Sequence, residues 1–217
     1  MRLEPWWAAR GVLSLSEHVA NVLEEIQEMD DDALLARLKE HIIQHSILTG
    51  RFILKSGLES RWFIDAKKTV CSADGMLLVA NAMCRVLPSD ATAIGGLTMG
   101  ADPVAFSTAA ISAALGRPLR SFSVRKETKD HGGGGRIAGM LLEGDKVVVT
   151  EDTVTRGTSM LQAVTEVRDV GAEVILAVAL VDRGGSAERL LGAMGVEFKA
   201  LFNAHDLGFD YEGGLTF

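Results

Sequence analysis

Two adjacent acids, Glu151 and Asp152, follow an apolar run and precede a segment rich in hydroxyl groups, since residues 147–159 read VVVTEDTVTRGTS. Carboxylates accept hydrogen bonds, so the pair could hold neighbouring hydroxyls of a sugar. Two side-by-side carboxylates repel each other, and an arrangement of this kind needs a use. The acids therefore predict a sugar-binding edge, and the alternative is a solvated acidic turn at the end of a buried strand.

The residues after the acids have the chemistry of a phosphate-binding loop. Gly157 lets backbone N–H groups approach an anion closely, and a helix predicted over 157–170 adds unpaired N–H groups and a partial positive charge. Side-chain donors flank the glycine, namely Thr155, Arg156, Thr158 and Ser159. Acids for a ribose and a loop for its phosphate together predict a site for a phosphorylated pentose. The alternative is an ordinary capped helix, with Arg156 pointing to solvent.

A cluster of positive charge lies ahead of this loop, where residues 124–139 read VRKETKDHGGGGRIAG. Its basic residues are Arg125, Lys126, Lys129, His131 and Arg136. Four consecutive glycines give the segment high backbone entropy, so we expect it to be mobile when empty and to close as a lid over a polyanion. A solvated hairpin tip is the alternative, but it does not explain why flexibility and dense positive charge coincide.

Composition limits the class of protein and its partners. The 217 residues carry a net charge of −7, which excludes an overall basic surface for nucleic acid. No apolar run approaches the roughly 20 residues of a membrane helix, and the first residues lack a signal-peptide pattern. We therefore expect a cytoplasmic protein that binds neither nucleic acid nor a membrane. Cys71 and Cys84 form no CxxC pair and are expected to be reduced and buried.

Strands that alternate with helices from residue 91 onward predict an α/β protein with a central parallel sheet and helices on both faces. Two helices are expected within 14–47, the second continuing through HIIQHSIL, and Lys67 and Lys68 are expected to end a strand in solvent. The other predicted strands are 61–66, 91–97, 119–124, 137–142, 146–152, 173–182 and 196–201, and the other predicted helices are 74–87, 101–116, 157–170 and 186–193.

One domain is expected to span residues 1–217. It would comprise N-terminal helices and a hood over about 1–68, a core that binds the phosphorylated pentose over about 69–200, and a tail over 201–217. The tail segment FNAHDLGFDY could pack against the core, and its sequence indicates no role.

Residues 147–159 resemble the phosphoribosyl pyrophosphate (PRPP) motif of type I phosphoribosyltransferases, in which a hydrophobic strand and two acids precede a Thr/Gly/Ser loop. The resemblance implies the fold of that family, a central parallel sheet flanked by helices with a small N-terminal hood. It also implies that Glu151 and Asp152 contact the ribose hydroxyls and that the loop from Thr155 to Ser159 binds the 5′-phosphate.

Residues 125–132 are similar over their whole length to the catalytic loop of orotate phosphoribosyltransferases, Arg-Lys-x-x-Lys-x-His-Gly. In that family the loop reaches across a homodimer and closes over the neighbouring active site. The resemblance therefore implies a homodimer in which Lys126, Lys129 and His131 act on pyrophosphate in the partner subunit. His131 could also donate a proton to pyrophosphate.

Two further segments agree with this resemblance, which covers roughly residues 35–200. FILKSGLESRWFID is similar to the family's N-terminal hairpin, which implies that Lys55 meets the substrates and that Phe63 packs near the pyrimidine. Arg183 stands at a strand end where the family has an Arg that pairs with orotate, and its planar fork suits a carboxylate. Thr155 is expected to contact orotate as well as PRPP.

The resemblance implies that the 5-phosphoribosyl group of PRPP is transferred to orotate, giving orotidine 5′-monophosphate and pyrophosphate in pyrimidine biosynthesis. Mg²⁺ is expected to be held mainly by PRPP, with no ligand from the protein. The expected catalytic residues are Lys126, Lys129, His131 and Asp152. The expected PRPP-binding residues are Arg125, Lys126, Lys129, His131, Glu151, Asp152, Thr155, Arg156, Gly157, Thr158 and Ser159.

Two alternatives remain open. The first is the same class of enzyme acting on another base, such as a purine or xanthine. The second is a regulator that keeps the fold and binds nucleotide without catalysis. Met99 favours the regulator, because many members of the family carry near this position a Lys that contacts pyrophosphate.

Overall fold

The computed structural model describes residues 23–53, 59–127 and 135–215. Its strands are β1 (Ile47–Ile53), β2 (Glu59–Ile64), β3 (Ala93–Leu97), β4 (Arg120–Val124), β5 (Ile137–Gly139), β6 (Lys146–Val154), β7 (Glu173–Asp182) and β8 (Phe198–Asn203). Its helices are α1 (Asp31–His45), α2 (Lys67–Val70), α3 (Ala73–Val86), α4 (Ala101–Ala114), α5 (Thr158–Asp169) and α6 (Ala187–Gly192). Residues 23–28 are also helical. None of the helices so described has the length and hydrophobicity needed to cross a bilayer.

The central sheet has six strands in the order β5-β4-β3-β6-β7-β8. Neighbouring strands are parallel except for β4 and β5, which form an antiparallel edge. The predicted α/β class with a central parallel sheet is therefore confirmed, and the antiparallel β5 makes the sheet mostly rather than wholly parallel. The carboxyl ends of β3, β4, β6 and β7 lie at the same edge of the sheet, which is where open α/β sheets bind their ligands.

Both faces of the sheet are buried, because successive residues of its central strands are apolar. In β6, Val148 packs into a core formed with α1, α3 and α4, whereas Val147 and Val149 pack into the core on the other face, with α5 and α6. All three valines are fully buried. This two-sided packing fixes β6 and thereby positions the acids that follow it.

A separate antiparallel pair, β1 and β2, forms the hood. The prediction that the preceding helix continues through HIIQHSIL is wrong, because α1 ends at His45 and β1 begins at Ile47. Ile47 is β-branched and lies opposite Ile64 in the hairpin, and the hydroxyl of Ser46 lies 2.7 Å from that of Thr69. The pairing of β1 with β2 therefore overrides the helical periodicity of the sequence.

Three other expectations are wrong. Strand β6 does not end at Asp152 but runs to Val154, because its pairing with β7 continues to that residue. Lys67 does not end a strand in solvent; it begins α2. Cys71 is exposed rather than buried, since it ends that short helix at the surface, whereas Cys84 is half-buried. Both thiols are free, as expected.

Candidate active site

The acid pair lies within β6, close to the carboxyl edge of the sheet. Asp152 is buried, and its carboxylate is engaged on both oxygens: Oδ1 accepts from the backbone N–H of Thr153 at 2.8 Å and Oδ2 accepts from Nζ of Lys67 at 3.0 Å. Glu151 is half-buried beside it. Burial and the charge of Asp152 raise the pKa of Glu151 to about 8, against the opposing effects of a hydrogen bond with Ser159 and the charge of Lys67.

The predicted phosphate loop connects β6 to α5. Gly157 is the N-cap of α5 and has φ of +82°, in the left-handed region that a residue with a side chain rarely adopts. A Cβ at this position would lie 3.2 Å from Cα of Ala187, so the loop packs closely on the start of α6. The chain therefore needs glycine here, and the unpaired N–H groups at the start of α5 provide a site for an anion.

A cavity of about 680 Å³ brings the predicted residues of the two substrate sites together. The predicted PRPP-binding residues on its wall are Glu151, Thr155, Arg156, Gly157, Thr158 and Ser159. The predicted orotate-binding residues on its wall are Phe63, Thr155 and Arg183. Leu48, Phe52 and Ile53 of the hood add an apolar surface, so the wall of the cavity combines polar and apolar residues.

Arg183 follows β7 directly and is held in place by the hood hairpin. Its Nη2 donates to Oγ of Ser60 at 2.6 Å and to the carbonyl of Trp62 at 2.9 Å. Burial lowers the pKa of the guanidinium, and the nearby charge of Glu212 offsets part of that effect. Its Nε is buried and has no hydrogen-bond partner within the described parts of the chain, so a donor is left for a ligand.

The C-terminal tail closes one side of this site, a contribution that the sequence did not indicate. Gly213 lines the cavity, and its carbonyl lies 3.4 Å from Nε of Arg156. The backbone N–H of Glu212 donates to the carbonyl of Arg183 at 3.1 Å. A Cβ on Gly214 would lie 2.0 Å from the carbonyl oxygen of Gly184, so the tail and the loop after β7 approach backbone to backbone. The pair of glycines at 213–214 is the one local signal of this contact.

Tail residues also contact the hood. The ring of Phe209 stacks on Trp62 with centroids 4.6 Å apart, and Nε1 of Trp62 donates to the carbonyl of Asp210 at 3.3 Å. The expectation that this segment packs against the body of the protein is confirmed, and its partners are Trp62 and the loop that carries Arg183.

The base of the cationic loop is described, but its centre is not. Arg125 and Arg136 close this base, since the N–H of Arg125 donates to the carbonyl of Arg136 at 2.7 Å. Arg136 also forms an ion pair with Glu166 at 2.6 Å, so its charge is already balanced within the protein. Lys126 is exposed at the start of the loop. Lys129 and His131, like Lys55 of the hairpin, lie outside the described residues.

No group of three or more potential metal ligands occurs in the described ranges of the chain. The acids nearest the site are already engaged, because Asp152 binds Lys67 and Glu151 hydrogen-bonds Ser159.

No protein-family model matches the chain. Over 186 residues it is 39% identical to the orotate phosphoribosyltransferase of Streptomyces avermitilis, a match that covers 84% of this chain and 100% of that protein. It is also 39% identical over 183 residues to the orotate phosphoribosyltransferase of Bradyrhizobium diazoefficiens, covering 82% of this chain and 98% of the relative.

Solved structures of phosphoribosyltransferases are also similar to this chain. The phosphoribosyltransferase of Corynebacterium diphtheriae superposes with a TM-score of 0.72 at 35% identity, covering 82% of this chain and 99% of that one. The orotate phosphoribosyltransferase of Mycobacterium tuberculosis in complex with PRPP superposes with a TM-score of 0.67 at 34% identity, covering 81% and 99% of the two chains.

Proposed function

We propose roles for individual residues on the premise that this chain belongs to the orotate phosphoribosyltransferase family and has the type I phosphoribosyltransferase fold. A member of this family transfers the 5-phosphoribosyl group of PRPP to orotate, and so does this chain. The observation that supports the proposal is the single cavity that joins the acid Glu151 and the loop around Gly157 to Phe63 and Arg183. A sugar phosphate can thereby bind Glu151 and the loop around Gly157, while a planar carboxylate binds Phe63 and Arg183 in the same cavity.

The substrates occupy the cavity end to end. The 5′-phosphate binds the N–H groups and hydroxyls of residues 155–159, and the ribose hydroxyls donate to Glu151 and Asp152. Orotate lies against Phe63, where Arg183 and Thr155 bind its polar groups. Arg183 provides the planar donor that a carboxylate requires, and its unpartnered Nε supports this assignment. Lys55 is assigned to the same substrates by resemblance.

The reaction exchanges one bond at C1 of the ribose for another. The C1–O bond to pyrophosphate breaks and its electron pair leaves on the pyrophosphate oxygen. N1 of orotate supplies the pair for the new C1–N bond and releases its acidic proton to solvent. Negative charge therefore grows on the leaving group, and cations aimed at it lower the barrier. We assign this role to Lys126, Lys129 and His131, with Arg125 contacting PRPP at the base of the same loop.

Mg²⁺, held by the diphosphate of PRPP, would neutralise part of the charge on the leaving group. The proposal also includes a homodimer in which each catalytic loop serves the partner's site, and a cytoplasmic location. It divides the chain into N-terminal helices and hood (about 1–68), PRPP-binding core (about 69–200) and tail (201–217), all within one domain.

Loss of the ultraviolet absorbance of orotate tests the function directly. The protein mixed with PRPP, Mg²⁺ and orotate should consume orotate, and omission of PRPP should abolish the change. Activity on a purine or xanthine without loss of orotate would instead favour an enzyme for another base. Binding of PRPP without turnover, and without isotope exchange between pyrophosphate and PRPP when orotidine 5′-monophosphate is present, would indicate a regulator.

A further inference from the structure

Lys67 places a positive charge beside the acid pair, and the mechanism above does not use it. Its Nζ lies 3.0 Å from Oδ2 of Asp152, and its side chain is 48% exposed whereas that of Asp152 is 7% exposed. The ammonium therefore lies at the protein surface, with the carboxylate beneath it. Burial lowers the pKa of Lys67, but the hydrogen bond and charge of Asp152 outweigh this effect and raise the pKa above its usual value. Lys67 is charged at neutral pH and has three N–H donors to share.

The loop after β3 approaches the same carboxylate from another direction. A Cβ on Gly100 would lie 2.8 Å from Oδ1 of Asp152 and 3.5 Å from Oε1 of Glu151. Helix α4 begins at the next residue, and no side chain caps it. Its unpaired N–H groups therefore favour an anion beside the acids.

Residue 99 of this loop is a methionine that is 63% exposed and carries no charge. Among the residues that the structure describes, the cation within ion-pair distance of the acid pair is Lys67. A positive charge beside these acids thus comes from the start of α2, the short helix that follows the hood.

The chemistry of PRPP places its diphosphate at this end. C1 and C5 lie on opposite sides of the ribose ring, and the C2 and C3 hydroxyls lie on the edge between them. With the 5′-phosphate on the loop around Gly157 and the hydroxyls on the acids, the diphosphate lies beyond the acids, away from that loop. Glu151 hydrogen-bonds Ser159 on the loop side, whereas Asp152 has Lys67 and Gly100 as neighbours.

We propose that Lys67 binds the diphosphate of PRPP and stabilises the negative charge that grows on it as the C1–O bond breaks. This inference rests on the proposed function. The ammonium can keep its bond to Asp152 while a second N–H donates to a phosphate oxygen, because a lysine has three donors. The cation belongs to the same chain as the acids, in contrast to Lys126 and Lys129, which are proposed to come from the partner subunit.

Substitution of Lys67 with Met, which keeps the length of the side chain and removes its charge, tests the proposal. Lys68→Met is the matched control, because Lys68 is the next residue, is exposed and changes the net charge equally. A charge-assisted hydrogen bond to phosphate is strong enough that Lys67→Met should weaken binding of Mg²⁺-pyrophosphate and raise KM for PRPP by about 10- to 100-fold. Lys68→Met should change both by about twofold or less.

Ribose 5-phosphate separates contact with the diphosphate from an effect through Asp152. It occupies the acids and the phosphate loop but has no diphosphate, so Lys67→Met should leave its Kd unchanged. Equal losses for ribose 5-phosphate and PRPP would mean that Lys67 only positions Asp152, and would overturn the proposal. An unchanged affinity for pyrophosphate would overturn it as well.

Lys67→Arg restores the charge and should recover most of the affinity for pyrophosphate, which an effect of misfolding would not do. The midpoint of thermal unfolding, measured for every variant, checks that the fold is kept. Turnover of orotate by the unaltered protein is measured in the same assay, so a failure of the proposed function is seen separately from a failure of the role given to Lys67.

Discussion

The guanidinium carbon of Arg183 lies 4.9 Å from the ring centroid of Trp62, and Nη2 of the same group donates to the Trp62 carbonyl at 2.9 Å. This contact joins the residue after β7 to β2, so the core of the protein fixes the position of the hood. Trp62 is 1% exposed and Phe63 is 39% exposed, because successive residues of a strand point to opposite sides. One aromatic ring therefore anchors the hairpin while the next is available to a ligand.

Replacement of Arg183 with Lys should raise KM for orotate by about 10- to 100-fold and have less effect on KM for PRPP. Lysine keeps the charge but loses the planar fork that binds a carboxylate through two parallel hydrogen bonds. Initial rates at varied orotate and varied PRPP measure the two effects separately. Ser60→Ala, which removes a 2.6 Å hydrogen bond to the guanidinium and leaves the arginine in place, should have a smaller effect on orotate. An unchanged KM for orotate in Arg183→Lys would exclude the assigned role.

The strand, acids, loop and helix around Gly157 could be predicted because their signals are local. The apolar run, the glycine and the hydroxyl residues are consecutive in the chain, and the structure keeps them in that order at the edge of the sheet. The extension of β6 to Val154 could not be predicted, because it depends on pairing with β7.

Lys67 and the tail illustrate what a local pattern cannot show. Lys67 contacts a carboxylate 85 positions later, and Trp62 donates to a carbonyl 148 positions later. Nothing near these residues in the sequence specifies either partner. The packing of the whole chain decides which of the two adjacent lysines lies beside Asp152.

Replacement of Gly157 with Ala should weaken PRPP binding and lower the free energy of unfolding by about 1–3 kcal/mol. The residue has φ of +82°, and the added Cβ would lie 3.2 Å from Ala187 at the start of α6. Gly144→Ala is the matched control, since Gly144 has φ of +78° and open space around it. The control should incur the backbone strain while KM for PRPP stays unchanged. Equal effects of both variants on KM for PRPP would contradict a role for Gly157 in phosphate binding.

The stability of the ligand-free protein should depend on the ionisation of Glu151. Its pKa is about 8 in the folded protein and 4.5 in its ordinary state, so the folded state binds this proton more tightly than the unfolded state does. The contribution to stability is therefore present below pH 4.5 and is lost as pH rises towards 8.

Glu151→Gln removes this dependence. Urea unfolding across the same pH range should show that the unaltered protein loses more than about 1 kcal/mol relative to the Gln variant. Parallel curves for the two proteins would show that the carboxyl titrates alike in both states and that the site does not favour its neutral form.

Mixing two inactive variants tests whether the catalytic loop acts across subunits. Lys129→Ala should abolish most turnover, because it removes a cation that we propose stabilises the leaving group, and it should leave the midpoint of thermal unfolding unchanged. Asp152→Asn should abolish turnover because it removes one of the two carboxylates proposed to bind the ribose. In a heterodimer of the two, one site combines an intact acid pair with an intact loop from the partner, and the other site has neither. Random exchange makes half of the dimers mixed, with one good site in two, so about a quarter of the full activity should return. If the loop instead served its own subunit, neither site of the heterodimer would be complete, and heterodimers verified by two different affinity tags would remain as inactive as their parents.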